Sequence, residues 1–424
     1  MPISKRTKKL AAVIACLLFV IVCIAACGKD DDPDLNDPLL TSSDAADTPE
    51  PADTPPEETA RPPEPSDTSS SAPPSPSPSA PELVLVPYDG VVEHLFFHEV
   101  IAYPELAFNG NAMEKGYDDN MVTVSEYNKM LESMYANGYI LVDMNDVWSE
   151  YSNDDWQRRM KKNTLMLPEG KKPLILSFDD ISFYEYMRGD GFMEKLIIGE
   201  DGDIWATGYD PAGNLVVSQD YTVVTILDKF IKEHPDFSLG GVKGCIALTG
   251  YEGILGYRTQ YDKNDDSNEF RLNRMKEIAL VRPVIQRLKE TGWYFATHSY
   301  GHINLHNASL NGVMNDAQRW LDEVGSLVGE TKLFIYPFGS RLDGDDVNKT
   351  GPAFKYYQEL GFRIFASVGI EPYVKIKSDI AAVICDRMHA DGITLRKSRD
   401  SYMKFYDAKE VFDPMRKDKY GKSW

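Results

Sequence analysis

The stretch Leu174-Ile175-Leu176-Ser177-Phe178-Asp179-Asp180 decides the architecture. It is apolar on both alternating faces until its last two residues, as a strand buried on both sides of a parallel sheet should be. It then ends in two adjacent carboxylates. Acids at the end of a buried strand need something cationic beside them, unless the chain turns out to solvent or caps the next helix there. Alternation sends neighbouring side chains to opposite faces, so one of the two can bind a cation while the other accepts a proton.

Further runs of the same kind lie on either side, at Val91–Phe97, Tyr139–Val142, Gly244–Leu248, Trp293–Ala296, Leu333–Tyr336, Arg363–Ser367 and Ala382–Cys385. Helical patterns separate them. Thr123 and Glu126 have capping-box spacing ahead of Tyr127, Met130, Leu131 and Met134, and Gly138 is placed to end that helix. Val281, Val284, Ile285 and Leu288 form one helical stripe, and Ala317, Trp320, Leu321 and Val324 form another. Strand alternating with helix indicates an α/β fold with a parallel sheet or barrel. Residues 191–219 break the rhythm with Glu200-Asp201-Gly202-Asp203 and Asp210-Pro211-Ala212-Gly213, and are expected to form a β-hairpin insertion.

The chain has seven histidines, and His298, His302 and His306 fall within nine residues just after the Trp293–Ala296 run. That is the C-terminal end of a strand, where α/β sheets and barrels bind ligands. A spacing of four with Gly301 between lets His298 and His302 converge on one metal ion, although two surface histidines also fall so by chance. His306 reads as a loop residue, and His94 and His234 as residues without a functional role. A third strand end is Leu333-Phe334-Ile335-Tyr336-Pro337-Phe338-Gly339.

Taken in order, Ser177-Phe178-Asp179-Asp180, His298-Ser299-Tyr300-Gly301-His302 and Tyr336-Pro337-Phe338-Gly339 resemble the motifs of the polysaccharide deacetylase family (NodB homology, carbohydrate esterase family four). The resemblance spans roughly residues 91–392. It implies a distorted (β/α) barrel, a divalent metal, usually Zn2+, and hydrolysis of acetyl groups on a cell-wall or other polysaccharide, with N-acetylglucosamine-type glycan the expected substrate. Matched position by position, it implies Asp180, His298 and His302 as metal ligands and Asp179 as general base. It also implies the Phe338 backbone N–H as an oxyanion donor and His98, at the end of the first strand, as a substrate-facing residue, although His98 also reads as a hydrogen-bonded core histidine.

Three positions depart from the family pattern. Ile181 stands where a glycine is usual, and Ile335 where an arginine orients the base. The usual Leu-x-His motif has its nearest match in Arg387-Met388-His389. His389 then takes the general-acid role, and Arg387 either supplies the missing cation beside Asp179 or forms a surface salt bridge. These departures leave two other readings: a glycan-binding protein without turnover, and an amidase acting on a non-sugar amide. The loop after Leu248 carries Tyr251 and Tyr257 between glycines, which suits either stacking on sugar rings or packing on the barrel. Asp343-Gly344-Asp345-Asp346 reads as a solvated turn, because it lacks the spaced oxygens and closing Glu of a calcium loop.

The 424 residues carry a formal charge of −21. Residues 28–82 hold 14 of the 26 prolines, no aromatic residue, and 14 acids against Lys29 and Arg61, and are expected to form a disordered linker. With +4 on residues 1–27 and −12 on the linker, −13 falls on residues 83–424, the expected catalytic domain. Such an acidic chain is a poor partner for nucleic acid, and nothing in the sequence implies a protein partner. At the N-terminus, Lys5–Lys9 precede the apolar run Leu10–Ala26, which ends in Ile24-Ala25-Ala26-Cys27. That is similar to the lipobox of bacterial lipoproteins, and implies a signal peptide over 1–27, lipidation of Cys27 and a lipid anchor on the extracytoplasmic face of the bacterial cell membrane. Cys245 and Cys385 are expected as buried thiols in neighbouring strands rather than as a disulfide.

Overall fold

The computed structural model describes residues 84–342, 350–417 and 420–421. The expected signal peptide with Cys27, the linker and the Asp343–Asp346 turn lie outside the described residues. Among the described residues, no helix is long and apolar enough to cross a membrane.

Seven strands close into a parallel barrel: β1 (Glu93–Phe97), β2 (Lys172–Asp179), β3 (Cys245–Leu248), β4 (Tyr294–Thr297), β5 (Leu333–Ile335), β6 (Ile364–Val368) and β7 (Val383–His389). Each pairs with the next in sequence, and β7 returns to β1. The eighth expected strand, Tyr139–Leu141, is not part of the ring. It pairs with Lys172–Leu174 at the foot of β2, while β3 takes Ser177–Asp179 higher on the same edge. An eight-residue strand beside four-residue β3 has edge to spare, and the wall splits there. Between β4 and β5 only Thr297 and Phe334 are in register, which adds to the distortion.

Helices follow the strands: α1 (Val124–Ala136) after β1, α2 (Val223–Glu233) after β2, α3 (Asn268–Glu290) after β3, α4 (Leu310–Trp320) after β4, α5 (Pro352–Glu359) after β5 and α6 (Gly392–Lys397) after β7. The Thr123–Glu126 capping box is formed in both directions at the start of α1. Each stripe facing the barrel is buried, as with Val281, Val284, Ile285 and Leu288 on α3. Burying one such side chain stabilises by about 1.5–3 kcal/mol.

Strand parity sorts the core into two clusters. Leu174, Leu176 and Phe178 face the helices, with Leu95, Phe97, Ile246, Phe334, Phe365 and Ile384. Ile175, Cys245, Ala247, Ala296, Ile335, Ala366, Val383 and Cys385 fill the barrel interior. By the same period of two, Ser177 and Asp179 share the inner face of β2 with Ile175, and Arg387 and His389 share that of β7 with Cys385. Cys245 and Cys385 are both buried and free, on strands that are not neighbours.

The barrel's N-terminal end is closed by the hairpin Trp148–Ser152/Arg158–Lys162 and by Leu85–Tyr88 paired with Leu165–Pro168. Trp148, Met160, Leu165 and Leu167 join the interior cluster, and Arg363 Nε donates to Glu150 Oε2 at 3.1 Å. The insertion after β2 has three antiparallel strands, Met193–Ile198, Ile204–Tyr209 and Leu215–Ser218, one more than a hairpin. Its two turn clusters each close a pair, and two turns join three strands.

Candidate metal centre

At the open, C-terminal end of the barrel the loops are strained. Seven non-glycine residues among those described have positive φ, and six of them follow β2 to β5: Asp180, Phe183, Leu255, Ser299, His302 and Phe338. Backbone strain of about 1–3 kcal/mol each persists only where the surroundings over-determine the conformation. Asp180 (φ 62°) follows β2 with its N–H on the Ala247 carbonyl of β3 at 3.1 Å, and both acids come close to His298 Nε2, Asp179 Oδ2 at 3.9 Å and Asp180 Oδ2 at 4.0 Å.

Asp180, His298 and His302 present one ligand atom each, all within 4.8 Å of one another. His298 follows β4 directly. Its Nδ1 lies 2.9 Å from the Ile335 carbonyl, which can only accept, so Nδ1 carries the proton. Nε2 is thereby left as the free lone pair, 4.0 Å from Asp180 Oδ2. His302 Nε2 is 3.5 Å from the same oxygen. Burial pulls the His298 imidazole down to about 4, against the opposing pull of Asp179 and Asp180, and the neutral ring is the form a metal requires. Two imidazoles and one carboxylate suit zinc, cobalt, nickel and iron alike.

The loop between the histidines is held from α4. Asp316 accepts from the backbone N–H groups of Tyr300 and Gly301, both at 2.8 Å, and from Ser299 Oγ at 3.3 Å. Ser299 Oγ in turn accepts from Ile303 N–H at 3.1 Å. These bonds secure the positive φ of Ser299 and His302 that turns both imidazoles the same way.

Asp179 faces inward and is buried. Arg387, with 0% exposure, donates from Nη1 to Asp179 Oδ1 at 2.7 Å and from Nη2 to Oδ2 at 2.9 Å. A surface salt bridge is therefore excluded for Arg387. The guanidinium also donates to Ser177 Oγ at 3.1 Å and lies 4.0 Å from the Phe96 ring. Burial alone would raise the Asp179 carboxyl, but the charge and hydrogen bonds of Arg387 outweigh it and hold the group well below the usual carboxylate range. Ile335 sits in the apolar interior, where it supplies only its carbonyl, to His298.

His389, at the end of β7, stacks on Phe96 at 5.7 Å and pairs through Nδ1 with Asp391 Oδ2 at 2.7 Å. Burial lowers its pKa, yet the Asp391 carboxylate more than offsets this and the net shift is upward. Asp391 also caps α6 through Thr394 N–H at 2.7 Å. His98 is half-buried, edge-on to Phe96 at 5.8 Å, with Nδ1 3.0 Å from the Asn120 carbonyl. The Phe338 ring, 53% exposed, covers His302 edge-on at 4.5 Å, in the tight turn Pro337–Gly339. His94 lies beneath the site with Nε2 2.9 Å from Ser177 Oγ, and His234 packs against Tyr135 and Phe230.

Two residues that the motifs did not point to belong to this cluster. Tyr184 Oη donates to Asp180 Oδ1 at 2.6 Å and lies 2.6 Å from Thr249 Oγ1, so that Oδ2 is the oxygen turned to both histidines. Asp391 is the other. A tyrosine four residues past an acid has no spacing signal, whereas an N-cap acid such as Asp391 ahead of α6 is a signal that the motifs passed over.

No protein-family model matches the chain, and no curated protein does. Among solved structures, the chain is similar to a deacetylase from Streptococcus pyogenes in complex with acetate, at 12% identity and a TM-score of 0.39, over 78% of this chain and 100% of that one. It is also similar to a polysaccharide deacetylase from Bacillus cereus, at 10% identity and a TM-score of 0.37, over 71% of this chain and 65% of that one. Identities of this size assign no activity here.

Proposed function

We propose that this chain is a metal-dependent hydrolase that removes acetyl groups from an extracytoplasmic polysaccharide, with an N-acetylglucosamine-type glycan as substrate and zinc as the ion. The observation that carries the reading is the meeting of the Asp180, His298 and His302 ligand atoms beside Asp179, which Arg387 keeps ionised. The motif resemblance supports the choice of an acetyl group.

A divalent ion held by Asp180, His298 and His302 supplies Lewis acidity to water and to a carbonyl oxygen. The residues of the chain do the rest. Asp179 accepts the proton of the attacking water, and Arg387 orients the carboxylate for it. The Phe338 backbone N–H donates to the oxyanion that forms when the carbonyl carbon becomes tetrahedral. His389, whose pKa the Asp391 carboxylate raises, returns a proton to the departing amine or alkoxide. His98 lines the cleft on the side of the substrate. A lipid on Cys27 and the acidic linker would hold the domain at the outer face of the membrane.

The second reading, a glycan-binding protein without turnover, drew weight from the departures at Ile181, at Ile335 and in the Leu-x-His motif. Arg387 offers a guanidinium to Asp179 from another strand, which weakens that case. The test is acetate release from N-acetylglucosamine oligomers and from cell-wall glycan, with added zinc, with chelator, and with Asp179→Asn. Acetate that appears with zinc and vanishes in the other two arms is the expected result. No acetate with metal bound would transfer the site to another amide or ester. No acetate and no bound metal would leave the binding protein.

A further inference from the structure

Beside the metal triad, the loops after β2 and β3 hold three tyrosines in a stack. The rings of Tyr184 and Tyr251 lie 5.0 Å apart at 16°, and those of Tyr184 and Tyr186 5.5 Å apart at 15°. Tyr184 is buried, with its hydroxyl on Asp180, whereas Tyr186 is 48% and Tyr251 37% exposed. Tyr257, on the same loop as Tyr251, is buried instead, with its hydroxyl on the Leu196 carbonyl at 2.9 Å. Only part of this aromatic surface is therefore committed to packing.

The exposed rings are not loose. Arg258 donates to Glu185 Oε1 at 2.6 Å, to the Phe183 carbonyl at 2.7 Å and to the Glu252 carbonyl at 2.8 Å. Glu185 N–H donates to Glu252 Oε2 at 2.7 Å, and Leu255 N–H to the Ile181 carbonyl at 3.1 Å. The turn that brings Arg258 back is closed at Gly253, where φ is 83° and a Cβ would meet the Tyr257 carbonyl oxygen at 2.0 Å. Two loops are thus sewn together so that Tyr186 and Tyr251 stay partly exposed next to a metal ligand. Exposed aromatics held rigid favour a ligand with a flat apolar face, because little side-chain freedom remains to be lost on binding.

We propose that Tyr186 and Tyr251, at the two ends of this stack, each offer a stacking contact to the C–H face of a pyranose ring of the glycan chain beyond the one that carries the acetyl group. This deepens the deacetylase reading and rests on it. The subsite makes the enzyme prefer chains to single sugars: a monomer fills the metal site alone, and a longer glycan also covers the tyrosines.

The experiment compares the wild-type protein with Tyr186→Ala, Tyr251→Ala and the corresponding Phe variants. Acetate release is followed on N-acetylglucosamine oligomers from one to six units, and Co2+ titration reports whether each variant still binds metal. The expected result is a kcat/KM that climbs with length in the wild type and climbs at least tenfold less in the Ala variants, mainly through KM. The Phe variants should keep the climb, since the ring and not the hydroxyl makes the contact. An equal length dependence in the Ala variants, with Co2+ binding intact, would overturn the subsite while leaving the deacetylase reading in place. If the wild type releases no acetate, calorimetric titration with the hexamer decides the matter. Binding that the Ala variants lose would support the subsite without the reaction, and binding that they retain would overturn it.

Discussion

Arg387 on β7 holds both carboxylate oxygens of Asp179 on β2, reaching past the Phe96 ring of the strand between them. The pair is buried, with side-chain exposures of 0% and 3%, and the geometry is a fork on a fork. Arg387→Met leaves the Asp179 charge buried and unpaired, which should destabilise by about 3–5 kcal/mol. Arg387→Lys keeps the charge but cannot bond both oxygens, so the carboxylate loses its fixed plane. Acetate release by Arg387→Lys should fall by about a hundredfold in kcat, with a modest change in KM. Thermal unfolding and steady-state kinetics on the two variants check this. A Lys variant with wild-type kcat would remove Arg387 from the proposed mechanism.

Tyr184 makes a separable prediction about the metal. Its hydroxyl occupies Asp180 Oδ1 and so leaves one oxygen to face the histidines. Tyr184→Phe keeps the ring in its stack and deletes that bond together with the contact to Thr249 Oγ1. Outer partners of metal ligands are typically worth 10- to 100-fold in affinity, and a weakening of about that size is expected. Competition with a chelating dye measures it, and the Co2+ absorption spectrum should change as Asp180 gains freedom to bind through both oxygens. Unchanged affinity and spectrum would make Tyr184 a packing residue.

The barrel was legible in the sequence because its strands are apolar on both faces and separated by amphipathic helices, and the strand ends fell within a residue or two of the runs except at Ala382–Cys385, whose strand continues four residues further to His389. Tyr139–Leu141 looked like a wall strand because its residues are as buried as the others. Nothing in its letters says that β3 occupies the upper part of the edge it pairs with. His298, His302 and Asp180 were legible from spacing at strand ends. Arg387 was legible only as a nearby cation, because its inward direction depends on parity with Cys385 along a strand that runs on to His389. The partners Asp316, Tyr184 and Thr249 were silent, since each acts through a contact distant in sequence or through a turn with no motif of its own.

His389 sets a prediction for pH. Its pKa stands above the ordinary histidine value because Asp391 outweighs the effect of burial. A general acid must be protonated, so activity should hold at low pH and fall as pH rises through this raised pKa. The His389–Asp391 contribution to stability has the same sign: it is fully present below the unfolded pKa and lost as pH rises through the folded one. Asp391→Asn should move the alkaline limb of kcat to lower pH while leaving the cap of α6 nearly intact, since the Asn Oδ1 can accept from Thr394 N–H as Asp391 does. A pH–rate profile unchanged by Asp391→Asn would exclude His389 as the acid.

Glu99 lies just beyond β1 and gives the last prediction, on stability alone. Its Oε1 accepts from the N–H groups of Val100 and Val223, both at 2.9 Å, while Oε2 is buried without a hydrogen-bond partner among the described residues. Burial raises its pKa from 4.5 to about 7, opposed only by those two backbone bonds, and Tyr127 beside it is buried too. The folded state therefore binds a proton that the unfolded chain would release. The resulting stabilisation is complete below the unfolded pKa of 4.5 and is lost as pH rises towards 7. At 1.36 kcal/mol per unit, a shift from 4.5 to about 7 amounts to about 3 kcal/mol between pH 4.5 and pH 8. Glu99→Gln keeps an Oε1 that can accept both backbone bonds and never ionises. Denaturant unfolding at pH 5 and pH 8 should find the variant close to wild type in acid and more stable by about 1–3 kcal/mol in base. A variant less stable than wild type by the same amount at both values would mean that Glu99 is held as the carboxylate, with a cation or water on Oε2.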